Sequence, residues 1–298
     1  MLFTIQVPGD FSLYETLHSH GWRHLRPFQA DDEHGTIGRI EQLADGSVVR
    51  FRVSQTIATR INVHVTPECD EDEVRAIVRR MLQLDRSLTE FHDYCRSTPK
   101  LASIPQRRQG RFLCSPTVFE DCVKVILTMN TTWAQTKGMV GRIVDNFGMT
   151  LPGDLAQRAF PTPQSIAGIS FEDFAAVSRL GYRSKPVYNL ACDVASDVVD
   201  LEALRDDALT SEDVLKRLLK LNGIGPYGAA CLLLYLGRGD RVNVDSWARS
   251  LLAGELGRPV TDKEVSAYFE QYGKWQGFVY SFYPWKNYES AATADVAA

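Results

Sequence analysis

A glycine-containing turn between two helical patterns is the first feature of this sequence that could form a binding site. Residues Leu221–Ala229 read LNGIGPYGA, and the proline begins a strongly apolar helical pattern. A proline in the first helical turn loses no hydrogen bond, because that backbone N–H has no acceptor inside the helix. The outward-pointing N–H groups of such a turn can hold a phosphate without basic side chains. The backbone contacts would come from Asn222, Gly223, Ile224, Gly225 and Tyr227.

A carboxylate, Asp245, follows the apolar helix and stands directly before the next helical pattern. A carboxylate in a dry pocket can stabilise developing positive charge and can orient or activate water. Asp is also a favoured N-cap residue, so Asp245 could instead begin the helix that starts at Ser246. The two roles are compatible.

The turn, the apolar helix and the aspartate together resemble the signature of the helix–hairpin–helix DNA glycosylase superfamily. Tyr227 and Asp245 lie 18 residues apart, close to the spacing in that superfamily. Segments Met81–Asp85, Ser115–Glu120 and Leu180–Arg183 resemble its 8-oxoguanine and alkyl-purine branch. The resemblance implies an enzyme that flips a damaged base out of double-stranded DNA and cleaves the N-glycosidic bond, with Asp245 as the catalytic carboxylate.

Tyr227 stands where bifunctional members of the superfamily carry a nucleophilic lysine. That lysine forms a Schiff base with the sugar and permits strand cleavage, whereas tyrosine cannot form an imine. The resemblance therefore implies a monofunctional enzyme of base excision repair that leaves an abasic site. The favoured substrate is an alkylated purine such as 3-methyladenine. The alternatives are an oxidised base such as 8-oxoguanine, and a helix–hairpin–helix DNA-binding module without activity.

The resemblance also marks residues that would contact the distorted duplex. Asn130 stands where the 8-oxoguanine branch fills the gap left by the flipped base, Tyr182 where it inserts an aromatic wedge, and Arg183 where it contacts the orphaned base. Gln135 replaces a second arginine that reads this base, so strict pairing with cytosine is not implied. Residues of these types can also be purely structural, as a helix connection or a packed ring.

Aromatic side chains are the natural candidates for the pocket that holds the flipped base, because their rings stack on nucleobases. Electron-rich rings suit an electron-poor alkylated purine in particular. Aromatic residues on C-terminal helices also commonly form core, and Trp247 could face the core instead. The candidates for the pocket are Trp133, Tyr227, Trp247 and Phe282.

The predicted elements change character at Pro67. Four short alternating runs, from Phe3–Val7 to Arg60–Val65, predict an antiparallel sheet, and the remainder is helical without a convincing strand. The first helix begins after Asp70 and could continue towards Tyr94. The predicted class is α+β, mostly α, with an N-terminal sheet domain at residues 1–68. A helical body at residues 69–298 would form two lobes around a cleft, with the hairpin at 211–237.

The composition fits an ordinary globular protein of 298 residues, with 33 basic and 37 acidic residues and a net charge of −4. This lacks the usual basic footprint of a nucleic-acid-binding domain, so we expect modest non-specific affinity for DNA. No apolar run is long enough to span a membrane, and the N-terminus does not read as a signal peptide. We expect a monomeric, cytoplasmic, nucleoid-associated protein.

The metal and cofactor expectations are few. The six cysteines are scattered without a CxxC pair, which favours reduced thiols and does not suit an iron–sulfur cluster. His18, His20 and His24 are close in sequence, but they lie in a polar turn without a Cys or carboxylate partner at usable spacing. No organic cofactor is implied. An alkali-metal ion on the hairpin carbonyls is possible by the resemblance.

Overall fold

The computed structural model describes residues 1–285. The strands are β1 (Leu2–Gln6), β2 (Phe28–Asp31), β3 (Thr36–Gln42), β4 (Val48–Ile57), β5 (Arg60–Thr66), β6 (Thr150–Leu151) and β7 (Asp154–Arg158). The first helices are α1 (Leu13–Leu17), α2 (Glu71–Met81), α3 (Thr89–Ser97), α4 (Ser103–Gln106), α5 (Val118–Thr128), α6 (Trp133–Phe147) and α7 (Pro163–Ala167). The others are α8 (Phe171–Ser178), α9 (Ser184–Ala195), α10 (Ser211–Leu218), α11 (Pro226–Tyr235), α12 (Ser246–Leu256), α13 (Asp262–Glu270) and α14 (Gln276–Phe282). The predicted α+β class is confirmed.

The N-terminal sheet is antiparallel, with strand order β1-β5-β4-β3-β2. Alternate residues of β5, beginning with Ile61, are fully buried, as expected of a strand with one face on the core. Strand β2 was not predicted, because the acids Asp31–Glu33 at its end suggested a turn. In the structure Phe28 of β2 is buried and stands opposite Arg39 of β3.

The helix after the sheet is shorter than predicted. Asp70 caps α2 by accepting the Asp72 N–H, as expected of an acid at this position. The helix does not continue towards Tyr94, because Gln83 adopts a left-handed conformation with φ of +50°. The Leu84 N–H then donates to the Arg79 carbonyl at 2.9 Å, which closes the helix end. A separate helix, α3, begins at Thr89.

The prediction of no strand beyond the N-terminal sheet is wrong. Strands β6 and β7 form a small hairpin across Pro152-Gly153, where Gly153 has φ of +82°. A proline followed by a glycine with positive φ is the preferred pair for a type II turn. A strand of two residues is too short to show alternation, so only the turn was visible in the sequence.

The chain folds into two compact units. The first comprises Met1–Asp85 and Arg111–Leu204, and the second comprises Arg86–Gly110 and the chain from Arg205 onward. The sheet therefore shares a unit with α5 and α9, whereas the predicted division fell at residue 68. Among residues 1–285 no helix is long and apolar enough to cross a membrane.

A buried ion network fixes the sheet to α5 within the first unit. The Arg39 guanidinium of β3 is fully buried and donates to both carboxylate oxygens of Glu120, at 3.0 and 2.5 Å. Lys124, one turn further along α5, lies 2.6 Å from the same carboxylate and donates to Ser115 at 3.2 Å. Such charges are tolerated in a core when they are paired and hydrogen bonded. The network explains why the sheet is not an independent domain.

The core of the second unit is built around α11. Residues Gly228–Leu234 of this helix are buried on every side, and α10 packs against it. A helix without a polar face has to be enclosed by other elements. Helix α11 is therefore held firmly in the core, and it fixes the positions of the segments that precede and follow it.

Candidate active site

The hairpin between α10 and α11 has the backbone expected from its glycines. The Ile224 N–H donates to the Leu221 carbonyl at 3.1 Å, and Gly223 has φ of +89°. Gly225 is the N-cap of α11 and has φ of −92°. The Ile224 side chain is only 5% exposed, so it anchors the turn in the core of the second unit. Asn222 and Gly223 are exposed.

The first turn of α11 leaves backbone donors available. Gly225 provides no side-chain cap, and no acceptor within residues 1–285 binds the N–H groups of Tyr227 and Gly228. A Cβ added at Gly225 would meet nothing within 4 Å, so the space above the turn is open. Open N–H groups at a helix N-terminus suit a phosphate oxygen. The phosphate-binding role remains a prediction, and the geometry it requires is present.

Asp245 accepts a hydrogen bond on each of its two carboxylate oxygens. It is the N-cap of α12, where one oxygen, Oδ1, accepts the Ala248 N–H at 2.8 Å. Its other oxygen, Oδ2, accepts the Tyr227 hydroxyl at 3.0 Å. The capping interpretation from the sequence is confirmed. The bond to Tyr227 fixes the position of the carboxylate relative to the start of α11.

The Tyr227 hydroxyl acts as a donor to this carboxylate. Burial raises the pKa of Tyr227 well above its ordinary value, and nearby Cys231 and Asp245 raise it further. The phenol therefore stays protonated at any working pH. Burial also raises the pKa of the Cys231 thiol to about 12, so it is not a nucleophile at neutral pH.

The three residues predicted to contact the distorted duplex come together in the first unit. Asn130 is exposed, with φ of +48°, and the Tyr182 side chain is 65% exposed. The Tyr182 hydroxyl donates to the Met129 carbonyl at 3.3 Å, and Arg183 donates to the carbonyls of Met129 and Asn130. The Arg183 guanidinium lies 4.4 Å from the centre of the Tyr182 ring. Tyr182 is not packed in the core.

The aromatic candidates for the base pocket are divided between the units. Trp133 begins α6 in the first unit, and a Cβ added at Gly21 would lie 2.7 Å from its ring carbons, so the indole packs directly on that glycine. In the second unit, Trp247 is half-buried on α12 and Phe282 is 7% exposed on α14. A pocket formed by these residues with Tyr227 remains a prediction.

The histidine cluster does not form a metal site. Within residues 1–285 no group of three His, Cys, Asp or Glu side chains is arranged to hold a metal ion. His18 contacts the Tyr14 carbonyl through Nδ1 at 2.8 Å, and the half-buried His20 is stacked on Trp22. Burial lowers the pKa of His20 to about 3.

The hairpin carbonyls fit the alkali-metal ion that the resemblance allows. The Leu221 carbonyl is used by Ile224, but within residues 1–285 no donor reaches the carbonyls of Asn222 and Ile224. Such oxygens are the ligands that hard cations prefer. A cation held there would add positive charge beside a bound phosphate.

Two features of the site were not anticipated from the sequence. The bond between Tyr227 and Asp245 depends on tertiary geometry, although their spacing in the superfamily signature was a signal. Gln135 forms a capping box at the start of α6, accepting the Thr132 N–H while Thr132 accepts the Gln135 N–H. The Thr132-x-x-Gln135 pattern was a visible signal for this cap.

The chain has relatives among curated proteins. It is 23% identical over 257 residues to DNA-3-methyladenine glycosylase of Bacillus subtilis, a match that covers 84% of this chain and 83% of the relative. It is 24% identical over 214 residues to an N-glycosylase/DNA lyase of Saccharomyces cerevisiae, which covers 68% of this chain. This match spans 57% of the yeast protein's length. No protein-family model matches the chain.

Solved structures share the fold over nearly the whole chain. The TM-score is 0.73 with MBOgg1 in complex with a low-affinity DNA ligand, at 22% identity and with 95% of this chain and 94% of that chain covered. It is 0.72 with 8-oxoguanine glycosylase/lyase of Clostridium acetobutylicum, at 20% identity, 94% of each chain being covered. It is also 0.72 with 3-methyladenine DNA-glycosylase of Archaeoglobus fulgidus, at 18% identity, with 94% of this chain and 97% of that chain covered.

The fold is therefore that of DNA glycosylases of the 8-oxoguanine and 3-methyladenine types. The relatives in sequence and the neighbours in structure are DNA glycosylases, which matches the resemblance drawn from the hairpin and Asp245.

Proposed function

We propose that this protein is a monofunctional DNA glycosylase that hydrolyses the N-glycosidic bond of a damaged, alkylated purine. The observation that carries the proposal is the Tyr227–Asp245 pair at 3.0 Å, beside the open N-terminus of α11. The pair supports the proposal because a carboxylate lies beside a turn whose open N–H groups can bind a phosphate, and because a phenol stands where the resemblance would put the amine of a lyase.

Asp245 is the group that would act on the sugar. As the base leaves, its bonding electrons depart with it and positive charge builds at C1′ of the deoxyribose. The Asp245 carboxylate stabilises that charge and accepts a proton as water adds to C1′, which leaves an abasic sugar and the free base. The bonds from Tyr227 and Ala248 hold the carboxylate in one orientation.

Tyr227 separates this mechanism from that of a lyase. The yeast relative and the clostridial neighbour carry lyase in their names. Strand cleavage through a Schiff base requires an amine that displaces the base at C1′ and forms an imine as the C1′–O4′ bond of the sugar ring opens. Tyr227 supplies no amine, and its hydroxyl is bonded to Asp245, so we expect hydrolysis to end at the abasic site.

An alkylated purine suits this site, where we assign no acid for the leaving group among residues 1–285. N-alkylation gives the purine a positive charge, so the base leaves as a neutral molecule without prior protonation. The Bacillus relative, whose name specifies 3-methyladenine, aligns over 84% of this chain. Excision of 8-oxoguanine by the same route is the second candidate, supported by the clostridial fold neighbour.

A panel of duplexes tests the proposal. Each duplex carries one 3-methyladenine, 7-methylguanine or 8-oxoguanine, with an undamaged duplex as control, and alkali reveals abasic sites as strand breaks. We expect breaks in the alkylated duplexes after alkali. Breaks confined to the 8-oxoguanine duplex would select the second candidate. Absence of breaks in every duplex would leave a DNA-binding module without activity.

A further inference from the structure

The Tyr227–Asp245 pair is connected to two further polar side chains of the second unit. Tyr227 and Cys231 lie one turn apart on α11, and the Cys231 thiol is hydrogen bonded to the Tyr227 hydroxyl and to the Asn243 side chain. Asn243 belongs to the segment between α11 and α12 and stands two residues before Asp245. A chain of hydrogen bonds therefore runs from Asn243 through Cys231 and Tyr227 to the carboxylate.

The far end of this chain is enclosed in the second unit. Cys231 is 6% exposed, and the Oδ1 atom of Asn243 is buried. Burial raises the pKa of the Cys231 thiol to about 12, so the sulfur keeps its proton at neutral pH. The hydrogen bonds of these two side chains therefore have to be made within the protein.

The direction of each hydrogen bond follows from the carboxylate. Asp245 can only accept, so the single proton of the Tyr227 hydroxyl points at its Oδ2. The bond between Tyr227 and Cys231 then has the thiol as donor and the phenol oxygen as acceptor. The Cys231 sulfur in turn accepts from the amide N–H of Asn243. All three donors point towards the carboxylate, an arrangement in which each bond polarises the next.

Stability does not account for an asparagine at position 243. The amide N–H of Asn243 faces a sulfur, which is a weak acceptor, and no donor within residues 1–285 reaches its Oδ1. A buried acceptor without a donor lowers the stability of the folded state, whereas an apolar side chain of similar size avoids this loss. A poorly satisfied amide at this position therefore indicates a role other than stability.

We infer that Asn243 is a positioning residue for the carboxylate. It acts through Cys231 to keep the Tyr227 hydroxyl directed at Oδ2 of Asp245. The inference rests on the proposed function, since the carboxylate needs this fixed orientation for hydrolysis. The thiol stops the phenol proton from turning away, and the amide holds the thiol in place and ties the segment before α12 to α11. Small displacements of a reacting group are costly in rate.

Asn243→Leu separates positioning from stability. The leucine removes the amide and its unpaired oxygen, so the free energy of unfolding should stay the same or rise. The single-turnover rate on an excisable lesion should fall by about 5- to 50-fold, because the carboxylate is less well oriented. Kd for a duplex with an abasic analogue should stay within about twofold, since no contact with DNA is removed. Asn62→Leu makes the same change on β5, where the amide donates to Thr56 at 3.2 Å, and should leave the rate unchanged.

Substitutions of Cys231 test whether the amide acts through the thiol. Cys231→Ser keeps a donor and an acceptor, so the rate should stay within about threefold of wild type, whereas Cys231→Ala should slow excision as Asn243→Leu does. The variant that combines Asn243→Leu with Cys231→Ala should be no slower than either alone, because both remove the same connection. Cys95→Ala is the matched control, since it truncates a fully buried thiol of α3 and should lower stability without changing the rate.

Amide hydrogen exchange at Ala248 tests the positioning without any excision. The Ala248 N–H donates to Oδ1 of Asp245, so its exchange rate, measured by NMR, reports how firmly the carboxylate is held. We expect about 3- to 10-fold faster exchange in Asn243→Leu and Cys231→Ala, and wild-type exchange in Cys231→Ser.

Three results would overturn the inference. They are unchanged Ala248 exchange in Asn243→Leu, excision by this variant at the wild-type rate, and a combined variant whose loss is the product of the two single losses. The expected pattern of exchange in a protein that excises no lesion would instead refute the proposed function alone.

Discussion

Under the proposed function, Asp245 meets a structural and a chemical requirement with one carboxylate. One oxygen caps α12 and the other accepts the Tyr227 hydroxyl, so each oxygen has a fixed donor. The same arrangement makes the two requirements separable by substitution, because asparagine and aspartate are equivalent as caps.

Asp245→Asn should abolish excision without unfolding the protein. The amide keeps the cap but loses the negative charge, so we expect the single-turnover rate to fall by about 100-fold or more. Binding to abasic DNA should be largely retained. Asp245→Ala is the control for the cap, and it should cost about 1 kcal/mol in free energy of unfolding. Excision by Asp245→Asn at the wild-type rate would rule out its catalytic role.

At the scale of elements, the hairpin offers a comparison between two glycines. Gly225→Ala should fold normally, because φ of −92° is allowed for alanine and its Cβ would meet nothing within 4 Å. The methyl group would still occupy the space where a phosphate approaches, so we expect about tenfold weaker binding to DNA. Gly223→Ala should also lower the free energy of unfolding, by about 1 kcal/mol, because φ there is +89°.

Gly9→Ala is the matched control for the hairpin prediction. A Cβ at Gly9 also meets nothing within 4 Å, and the residue lies in the other unit. Anisotropy titrations and urea unfolding of the three variants provide the test. Unchanged DNA affinity in Gly225→Ala would show that the turn does not contact the backbone of DNA.

The first unit, which contains the N-terminal sheet, should become less stable in mild acid because of His20. Its folded-state pKa is lowered to about 3 by burial and by the charge of Lys124, against 6.5 when unfolded. The folded state therefore favours the neutral ring. Its contribution to the free energy of unfolding is fully present above pH 6.5 and is lost progressively as the pH falls towards 3. At about 1.4 kcal/mol per pH unit, the loss by pH 5 is about 2 kcal/mol.

Urea unfolding of wild type and His20→Asn at pH 7.5 and pH 5 measures this contribution. The variant should lose about 2 kcal/mol less than the wild type between the two pH values. Comparing the two proteins removes the effect of Glu41, whose pKa is raised to about 7 chiefly by burial and which acts in the opposite direction. Identical losses would mean that His20 is not held neutral.

Sequence patterns predicted the long elements and the hairpin but not the internal contacts. Helix α11 and the capped starts of α2 and α12 were visible, because apolar periodicity and local caps are encoded by neighbouring residues. Strand β2 was missed because the acids at its end suggested a turn, and β6 and β7 were missed because two residues, and five without apolar alternation, show no strand pattern. The buried Arg39–Glu120 pair joins residues 81 positions apart, and no local pattern in either segment marks it.

At the scale of the molecule, the net charge predicts how the affinity for DNA depends on salt concentration. The net charge is −4, and some cations of the second unit are paired with acids, as where Arg241 lies 3.0 Å from Glu212. Backbone N–H groups release few counterions when they bind a phosphate. We expect log Kobs for undamaged duplex to fall with log salt concentration with a slope of about −3 or shallower.

A salt titration between 50 and 300 mM tests this expectation by anisotropy. Lys185→Ala should reduce the slope by about one if this exposed cation contacts a phosphate. A slope of about −6 or steeper would indicate a basic surface that the charge balance does not suggest.

The chemistry of strand cleavage tests the central claim most directly. Wild-type protein is incubated with a duplex carrying one excisable lesion, with and without borohydride, and the products are resolved before and after alkali. We predict intact strands before alkali, breaks after it, and no covalent protein–DNA adduct, because Tyr227 cannot form an imine. Breaks without alkali together with a borohydride-trapped adduct would contradict hydrolysis by Asp245 and show that an amine of this chain is the nucleophile.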